Sequence, residues 1–429
     1  MISLSQKFRS FRKSLSPGRR KLIENFSALF ILQGINYILP LITFPYLVRV
    51  LGPAKYGLVN FAYSFVWYFI LLTDYGFNFS ANREASIYRE DKNRLSKIYS
   101  SVTLVKIILC IMSFIILTIL VMLVPKFHSD MRLYYLTFLM VLGYLLFPVW
   151  LYQGIERMKY VTVLNVVAKS LFTICIFIFI KRAGDYVLVA LLNSFGYISV
   201  GVINIFVLRR NFGIKFVFVS FDELKHQFKD GWHVFISTIA VSAYTNTRLF
   251  AVGLLTNDTI TGFYAIAEKF IRIIQSAVLA PLAQTVYPRL TKIYAEDPAR
   301  SFRIMRKLQT GITIGYLFAF PILFVFAPVI IKLVAVHIYP ETLLSLRLLL
   351  IATFFVGANA FRVQFLLVSG EKKVFARIHL IAGGIGIFLT FLLTHWLSYV
   401  GPSIALIIIE SSVLLLTIRS IKKLNYVKI

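Results

Sequence analysis

Residues 107–124 read IILCIMSFIILTILVMLV, eighteen consecutive residues without a charged side chain. An α-helix of this length and apolarity can cross most of the hydrocarbon core of a bilayer. Similar runs of about 20 residues recur along the whole chain, which has 429 residues, 59% of them hydrophobic and 15% charged. The alternating segments of about 10 residues typical of a membrane β-barrel are absent from the sequence. The sequence therefore predicts an all-α polytopic membrane protein.

The positions of the basic residues predict an even number of spans with both termini in the cytoplasm. Of the 46 lysines and arginines, 32 fall in segments that would be cytoplasmic and 7 in segments that would lie outside. Cytoplasmic loops carry an excess of basic residues. This bias also accounts for the net charge of +28, which on a soluble chain would suggest nucleic-acid binding. The predicted helices are 26–48, 57–78, 101–124, 133–153, 161–180, 186–208, 232–255, 260–286, 310–334, 343–367, 375–396 and 399–418.

The longest predicted cytoplasmic loop divides these twelve helices into two sets of six around a central cavity. YGLVNFAYSF (56–65) is similar to TGFYAIAEKF (261–270), so that Gly57 matches Gly262. Parallel repeats would produce this similarity, and chance similarity between two apolar stretches is the alternative. We predict a basic tail that lies on anionic lipid headgroups, an N-lobe, a linker with an interfacial helix, a C-lobe and a basic C-terminus, at 1–25, 26–208, 209–231, 232–420 and 421–429.

The seventh and eighth predicted helices carry the densest group of charges within the membrane. Arg248 and Glu268 fall at similar depth on neighbouring antiparallel helices, and Arg272 lies four residues after Glu268 on the same helix face. One acid cannot neutralise Arg248, Lys269 and Arg272. The surplus favours a cavity that receives an anion, and structural pairing is the alternative. The polar side chains expected to support this site are those of Asn246, Tyr264 and Gln275.

Other ionisable residues inside predicted spans have two interpretations each. Asp74, Asn78 and Arg83 form either part of a site or a polar helix end at the headgroups. Glu410 lies near the middle of the last helix, where it is either a packed, protonated carboxyl or a coupling site, and Asp74 is a second coupling candidate. We expect Lys106 to extend to the cytoplasmic headgroups. The deeper Lys169 could equally face a cavity.

Motifs for enzymatic chemistry are absent from the sequence. There is no glycine-rich phosphate loop, no HExxH and no paired-cysteine spacing for a metal. The six histidines are scattered, and the predicted outer loops are short. We therefore predict a protein that is not an enzyme, uses no cofactor and holds no metal.

Three blocks of the chain resemble the Wzx-type O-antigen and polysaccharide repeat-unit flippases, in the superfamily of the multidrug exporters and lipid II flippases. The blocks are PLITFPYLVRVLGPAKYGLVNFAYSF (40–65), LTDYGFNFSANREASIYRED (72–91) and TNDTITGFYAIAEKFIRIIQSAVLAPLAQTVYPRLTKIYAED (256–297). The resemblance implies two six-helix lobes in the bacterial inner membrane. It also implies that Arg248, Lys269 and Arg272 receive the pyrophosphate or an acidic sugar of an undecaprenyl-pyrophosphate-linked oligosaccharide.

Further partners implied by this resemblance are a polysaccharide polymerase and a chain-length regulator. Two other functions stay open at this point. A cation-coupled multidrug exporter of the same superfamily would favour an acidic cavity, which the basic cluster does not provide. A membrane polysaccharide polymerase would need a catalytic set of residues that the sequence lacks.

Overall fold

A computed structural model of the chain describes the backbone of residues 17–423. It describes the side chains of residues 34–423 apart from 37, 233, 237–238, 240–245, 277–278, 280–285, 288 and 372. Among these residues every regular element is helical, which confirms the all-α prediction. The helices are α1 Pro17–Asp74, α2 Ser80–Ile87, α3 Lys92–Leu123, α4 Pro125–His128, α5 Met131–Leu146, α6 Val149–Gly154, α7 Met158–Phe179, α8 Tyr186–Val207, α9 Phe221–Leu255, α10 Asp258–Glu296, α11 Pro298–Val334, α12 Pro340–Val368, α13 Lys372–Leu397 and α14 Gly401–Lys423.

Eight segments of the described chain are long and apolar enough to cross a membrane. Two of them, Gly34–Asp74 and Lys373–Lys423, each cover two predicted spans. Helices α9 and α10 coincide with the seventh and eighth predicted spans but are not among the eight. The protein is therefore a multi-pass membrane protein, while the count of twelve spans and the cytoplasmic termini stay predictions.

Helix α1 bends at Gly52, where the sequence predicts the loop between the first two spans. The backbone of Gly52 has φ 68° and ψ 169°, a conformation that is essentially restricted to glycine. Pro53 follows directly and has no backbone N–H to continue the helical hydrogen bonds. The two parts of α1 on either side of this bend correspond to the two predicted spans.

Helix α10 joins the two halves of the chain. In the first half α1 packs against α5 and α7, and α5 packs against α8. In the second half α11 and α14 both pack against α12, and α13 packs against α14. Helix α10 packs against α1 on one side and α12 on the other. Side chains of α10 therefore lie at the boundary between the halves.

The segment between the two halves is held against the start of α3. The hydroxyl of Ser96 accepts a hydrogen bond from the N–H of Lys215 at 3.1 Å, and that of Ser100 accepts from the N–H of Val217 at 2.8 Å. Ser220 then begins α9 with the predicted capping box, in which its side chain and that of Glu223 each accept from the other residue's N–H. The helix predicted within the linker is the first part of α9, which continues to Leu255.

Candidate functional site

Glu268 bridges the two arginines that the sequence places near it. Its Oε1 atom lies 2.9 Å from Nη2 of Arg248 on α9 and 3.1 Å from Nη2 of Arg272, one turn further along α10. The side chains of Glu268 and Arg248 are 4% and 12% exposed, whereas that of Arg272 is 46% exposed. The predicted equal depth of Arg248 and Glu268 thus corresponds to a direct contact, and Arg272 is the member of the group that faces open space.

Neighbouring polar side chains hold this group in position. The amide oxygen of Asn246 accepts a hydrogen bond from Nη2 of Arg272 at 3.4 Å. The amide nitrogen of Gln275 donates to the hydroxyl of Thr353 on α12 at 3.0 Å. Tyr264 is fully buried on α10, four residues before Glu268. Of the predicted supporting residues, Asn246 contacts the charged group, whereas Gln275 fixes α10 to α12 and makes no described contact with that group.

Three adjoining cavities lie against α1 and α10, two of them also against α7 and the third also against α9, and we call them together the central cavity. The largest, of about 470 Å³, is lined by Asn165, Lys169, Lys269 and Arg272 among others. A second, of about 220 Å³, shares Lys169 and Lys269 with the first. The third, of about 260 Å³, is lined by Lys269 and Arg272 and also by Glu268. Each part shares lining residues with the other two, so the three parts adjoin one another.

The charge of the central cavity is positive. Three cationic side chains line it, and the one carboxylate among the described lining residues, Glu268, is already shared by two guanidiniums. Neither Lys169 nor Lys269 lies within ion-pair distance of a carboxylate in the part of the chain that the structure describes. Amide and phenol groups of Asn60 and Tyr63 complete a wall that can form hydrogen bonds. This arrangement is suited to an anion that also carries hydroxyl groups.

The structure separates the three predicted substrate contacts. Lys269 and Arg272 line the central cavity, and so do the predicted supporting residues Asn246 and Glu268. Arg248 lines none of its three parts. Its guanidinium instead lies against Glu268. A direct contact between Arg248 and a substrate therefore stays a prediction.

Lys169 lines the central cavity, a position that the sequence alone did not decide. Its ammonium group donates to the backbone carbonyl of Asn36 on α1 at 3.2 Å and lines two parts of the central cavity. The depth of Lys169 within α7 was a usable signal, because a lysine far from either interface needs a wet or polar surrounding. The direction in which it points depends on how α7 packs against α1, which the sequence does not reveal.

The expectation that Lys106 extends to the headgroups is wrong. Lys106 is 3% exposed, and its ammonium group lies 3.2 Å from Oδ1 of Asp74. Asn78 donates to the other carboxylate oxygen of Asp74. Because α3 packs against the end of α1, the ammonium meets a carboxylate before it reaches the membrane surface. Asp74 is thereby paired within the first half of the chain.

The remaining predicted residues lie apart from the central cavity. Arg83 is exposed on α2, and Glu410 is partly buried on α14. Neither residue lines one of the three cavities, and the same holds for Asp74 and Asn78. Their roles in substrate binding or ion coupling stay predictions.

Close backbone contact joins the two halves of the chain at the end predicted to face outward. A Cβ atom on Gly57 would lie 2.2 Å from the carbonyl oxygen of Asp258, and one on Gly262 would lie 1.9 Å from that of Pro53. Lys126 donates to the carbonyl of Thr256 close by. Gly57 and Gly262 are the residues matched by the predicted internal repeat, so the contact joins equivalent positions of the two halves.

Comparison with known proteins shows which family the chain matches. A family model described as "Polysaccharide biosynthesis protein" matches residues 22–294. The chain is 28% identical over 415 residues to a "Putative O-antigen transporter" from Escherichia coli (strain K12), covering 96% of this chain and all of that protein. Two solved structures share the fold, each with a TM-score of 0.67. An inward-facing multidrug resistance MATE family transporter of the MOP superfamily is 13% identical, covering 90% of this chain and 98% of its own. The lipid II flippase MurJ, in an inward closed conformation, is 16% identical, covering 92% and 87%.

Proposed function

Because the chain belongs to the polysaccharide biosynthesis protein family, we propose that it is a flippase for undecaprenyl-pyrophosphate-linked oligosaccharide repeat units. It carries units of an O-antigen or a related surface polysaccharide across the cytoplasmic membrane of a bacterium. The predicted resemblance to polysaccharide flippases is confirmed at the level of the family. The identity of the lipid carrier and of the sugars belongs to the proposal.

The observation that carries this proposal is the positive charge of the central cavity. A pyrophosphate diester is an anion with several acceptor oxygens. Lys169 and Lys269 present ammonium groups to it, and Arg272 presents a planar guanidinium that can donate two parallel hydrogen bonds to one phosphate. These groups lie inside a membrane protein, where screening by salt is weaker than at a surface. The amides of Asn60 and Asn165 supply hydrogen bonds of the kind that sugar hydroxyls accept and donate.

The walls of the central cavity also suggest where the lipid tail lies. Helices α1 and α10 both contribute to the largest part of the cavity, through Asn36 and Pro40 on one side and Ser276 on the other. The polyprenyl tail remains in the surrounding bilayer, since a tail inside the cavity would leave its amide and ammonium groups without polar partners. The tail leaves the headgroup through the gap between α1 and α10.

Transport proceeds by alternating access. The headgroup enters the central cavity while the Gly57–Gly262 contact keeps the outer side closed, and the two halves then rock until this contact opens. Throughout this movement the carboxylate of Glu268 holds the guanidinium of Arg272 at the cavity wall. Arg248, which does not line the cavity, holds Glu268 in place. The protein performs no covalent chemistry in this cycle.

Deletion of the gene in its own bacterium tests the proposal. We expect lipid-linked repeat units to accumulate on the cytoplasmic leaflet and surface polymer to disappear. Restoration should require Lys269 and Arg272, whereas Lys307→Gln, an exposed basic residue on α11, serves as the matched control. Normal surface polysaccharide in the deletion strain would contradict the proposal.

A multidrug exporter is the alternative that the fold shared with a MATE transporter favours. The cationic cavity disfavours the cationic compounds that an acidic cavity would attract. Increased drug sensitivity in the deletion strain, together with intact surface polymer, would indicate an exporter. If single repeat units still reached the surface, the loss of polymer would instead indicate a polymerase.

A further inference from the structure

A second basic cavity, of about 230 Å³, lies in the C-terminal half between α11, α12 and α14. Helices α11 and α14 each pack against α12, which therefore forms the floor of a cleft between them. Arg362 stands on the floor, Arg306 on the α11 side and Lys422 on the α14 side. Apolar side chains complete the lining, among them those of Phe302, Met305 and Ile418. None of these residues lines the central cavity.

The three basic groups of this cleft have no acidic counterpart. No carboxylate lines the cleft, and no ion pair of the described residues includes Arg306, Arg362 or Lys422. The guanidinium of Arg362 donates to the carbonyl of Ala358 in its own helix. By contrast, the buried charges Lys106 and Glu268 each have an ion-pair partner. Like charges that line one cleft repel one another, so the cleft is suited to an anion from outside the chain.

The shape of the cleft is set before any ligand arrives. Gln309 is 2% exposed, and its amide group joins α11 to α12. Its nitrogen donates to the carbonyl of Gly357 at 3.0 Å, and its oxygen accepts from the N–H of Phe361 at 3.0 Å. Phe361 directly precedes Arg362, and Gln309 lies one turn after Arg306. These two hydrogen bonds fix the helix segments that carry the two arginines relative to each other, which reduces the entropy lost on binding.

The position of the cleft indicates what kind of anion it receives. Helix α11 begins, and helices α12 and α14 end, at the side predicted to be cytoplasmic. On this side we expect the basic rim at the level of the phospholipid headgroups and the apolar lining at the start of the acyl chains. Leu415, one turn deeper than Ile418 on α14, is 57% exposed and extends the apolar surface toward the membrane interior. Basic pockets between spanning helices on this side are suited to anionic lipid headgroups.

We propose that this cleft binds the headgroup phosphate of an anionic phospholipid from the cytoplasmic leaflet. Arg362 and Arg306 contact the phosphate from two sides, and Lys422 contacts it from a third. One acyl chain lies along Ile418 and Leu415. The site is separate from the central cavity, and its occupant is a membrane lipid that the protein does not transport.

Native mass spectrometry of the purified full-length protein, titrated with phosphatidylglycerol or phosphatidylcholine, tests this site. A basic residue near a membrane surface contributes about fivefold to the affinity for an anionic lipid. We therefore expect the triple variant Arg306→Gln, Arg362→Gln, Lys422→Gln to bind phosphatidylglycerol roughly a hundredfold more weakly. Phosphatidylcholine should bind weakly to both proteins.

The matched control removes three exposed basic residues from the same helices outside the cleft. These are Arg303, Lys307 and Arg419, changed to glutamine, and this variant should bind phosphatidylglycerol within about threefold of the unchanged protein. An equal loss in the control, or equal binding of phosphatidylcholine, would overturn the proposal. Displacement of the lipid by 10 mM inorganic phosphate would overturn it too, because the cleft would then be a site for free anions.

A second variant keeps the test valid if the triple variant fails to fold. Arg306 and Lys422 are both exposed at the rim, and their double change to glutamine leaves Arg362 and the buried floor intact. We expect a loss of about 25-fold in phosphatidylglycerol binding, with an unchanged profile on size exclusion. Surface polymer in the deletion strain reports on the proposed transport function separately, so failure of one proposal is distinguishable from failure of the other.

Discussion

Replacement of Gly262 by alanine should open the outer side of the central cavity. The added Cβ atom would lie 1.9 Å from the carbonyl oxygen and 2.5 Å from the carbonyl carbon of Pro53. Both are backbone atoms at the bend of α1, so no side chain can rotate away to make room. The halves must separate by more than 1 Å at this point to restore ordinary van der Waals distances of about 3.4 Å.

The cost of this overlap sets the expected size of the effect. Insertion of a methyl group into a well-packed contact costs about 1–3 kcal/mol. Only the outer-closed state bears this cost, because the contact is absent once the halves rock apart. The ratio of outer-open to outer-closed protein should therefore rise by roughly 5- to 150-fold. Glycine to alanine also favours the helix by about 1 kcal/mol, but equally in both states, so that it leaves the ratio unchanged.

Thiol labelling from outside measures this ratio. A cysteine in place of Asn60, which lines the central cavity, reports access in a background where Cys110 and Cys175 are replaced by serine. We expect a membrane-impermeant maleimide to label this cysteine at least fivefold faster when Gly262→Ala is also present. Gly57→Ala should have the same effect, since its Cβ atom would meet Asp258 in the same contact.

Gly315→Ala on α11 is the control for helix propensity, because a Cβ atom there has no neighbour within 4 Å. It should leave the labelling rate unchanged. If Gly262→Ala folds normally and labels no faster than Gly315→Ala, the Gly57–Gly262 contact is not the outer closure and the reasoning fails.

Three further predictions concern the charged group and the linker. Lys169→Gln and Lys269→Gln should each lower surface polymer by tenfold or more at unchanged protein level, since each removes one of three cations from the central cavity; unaltered polymer in both would exclude a role in anion binding. Glu268→Gln should destabilise the protein by about 3–5 kcal/mol, because it removes the carboxylate that pairs with the buried Arg248, and a melting temperature equal to that of the unchanged protein would contradict the ion pair. Ser96→Ala with Ser100→Ala should expose residues 209–220 to protease, because two backbone N–H groups lose their acceptors at about 1–3 kcal/mol each; equal cleavage rates would show that other contacts hold this segment.

The parts of the site that the sequence predicts correctly depend on regular helix geometry. A rise of 1.5 Å per residue relates depth to residue number, which brings Arg248 and Glu268 to one level on neighbouring antiparallel helices. The same regularity places Arg272 one turn from Glu268. Both contacts are present at 2.9 and 3.1 Å. Capping residues such as Ser220 were equally predictable, because a cap involves only neighbours in the chain.

The parts that the sequence does not predict depend on how helices rotate against one another. Lys106 and Lys169 both lie within spans, and the greater depth of Lys169 does not reveal which group either ammonium meets. One points toward Asp74 and is neutralised, whereas the other points into the central cavity. The difference arises because α3 packs against α1 beside Asp74, while α7 packs against a part of α1 where the described partner of Lys169 is a backbone carbonyl. Rotation about a helix axis is set by such packing, which one sequence does not encode in a readable pattern.

Arg248 can influence the central cavity without lining it. Its guanidinium shares Oε1 of Glu268 with Arg272, so the carboxylate cannot neutralise both. Were Arg248 absent, Glu268 would neutralise Arg272 alone, and the cavity would retain the uncompensated charge of Lys169 and Lys269 only. With Arg248 present, part of the charge of Arg272 remains available to an anion, in a setting where the effective dielectric constant is lower than in water. We therefore expect the buried Arg248 to raise the positive potential at the cavity wall, although its own side chain does not line the cavity.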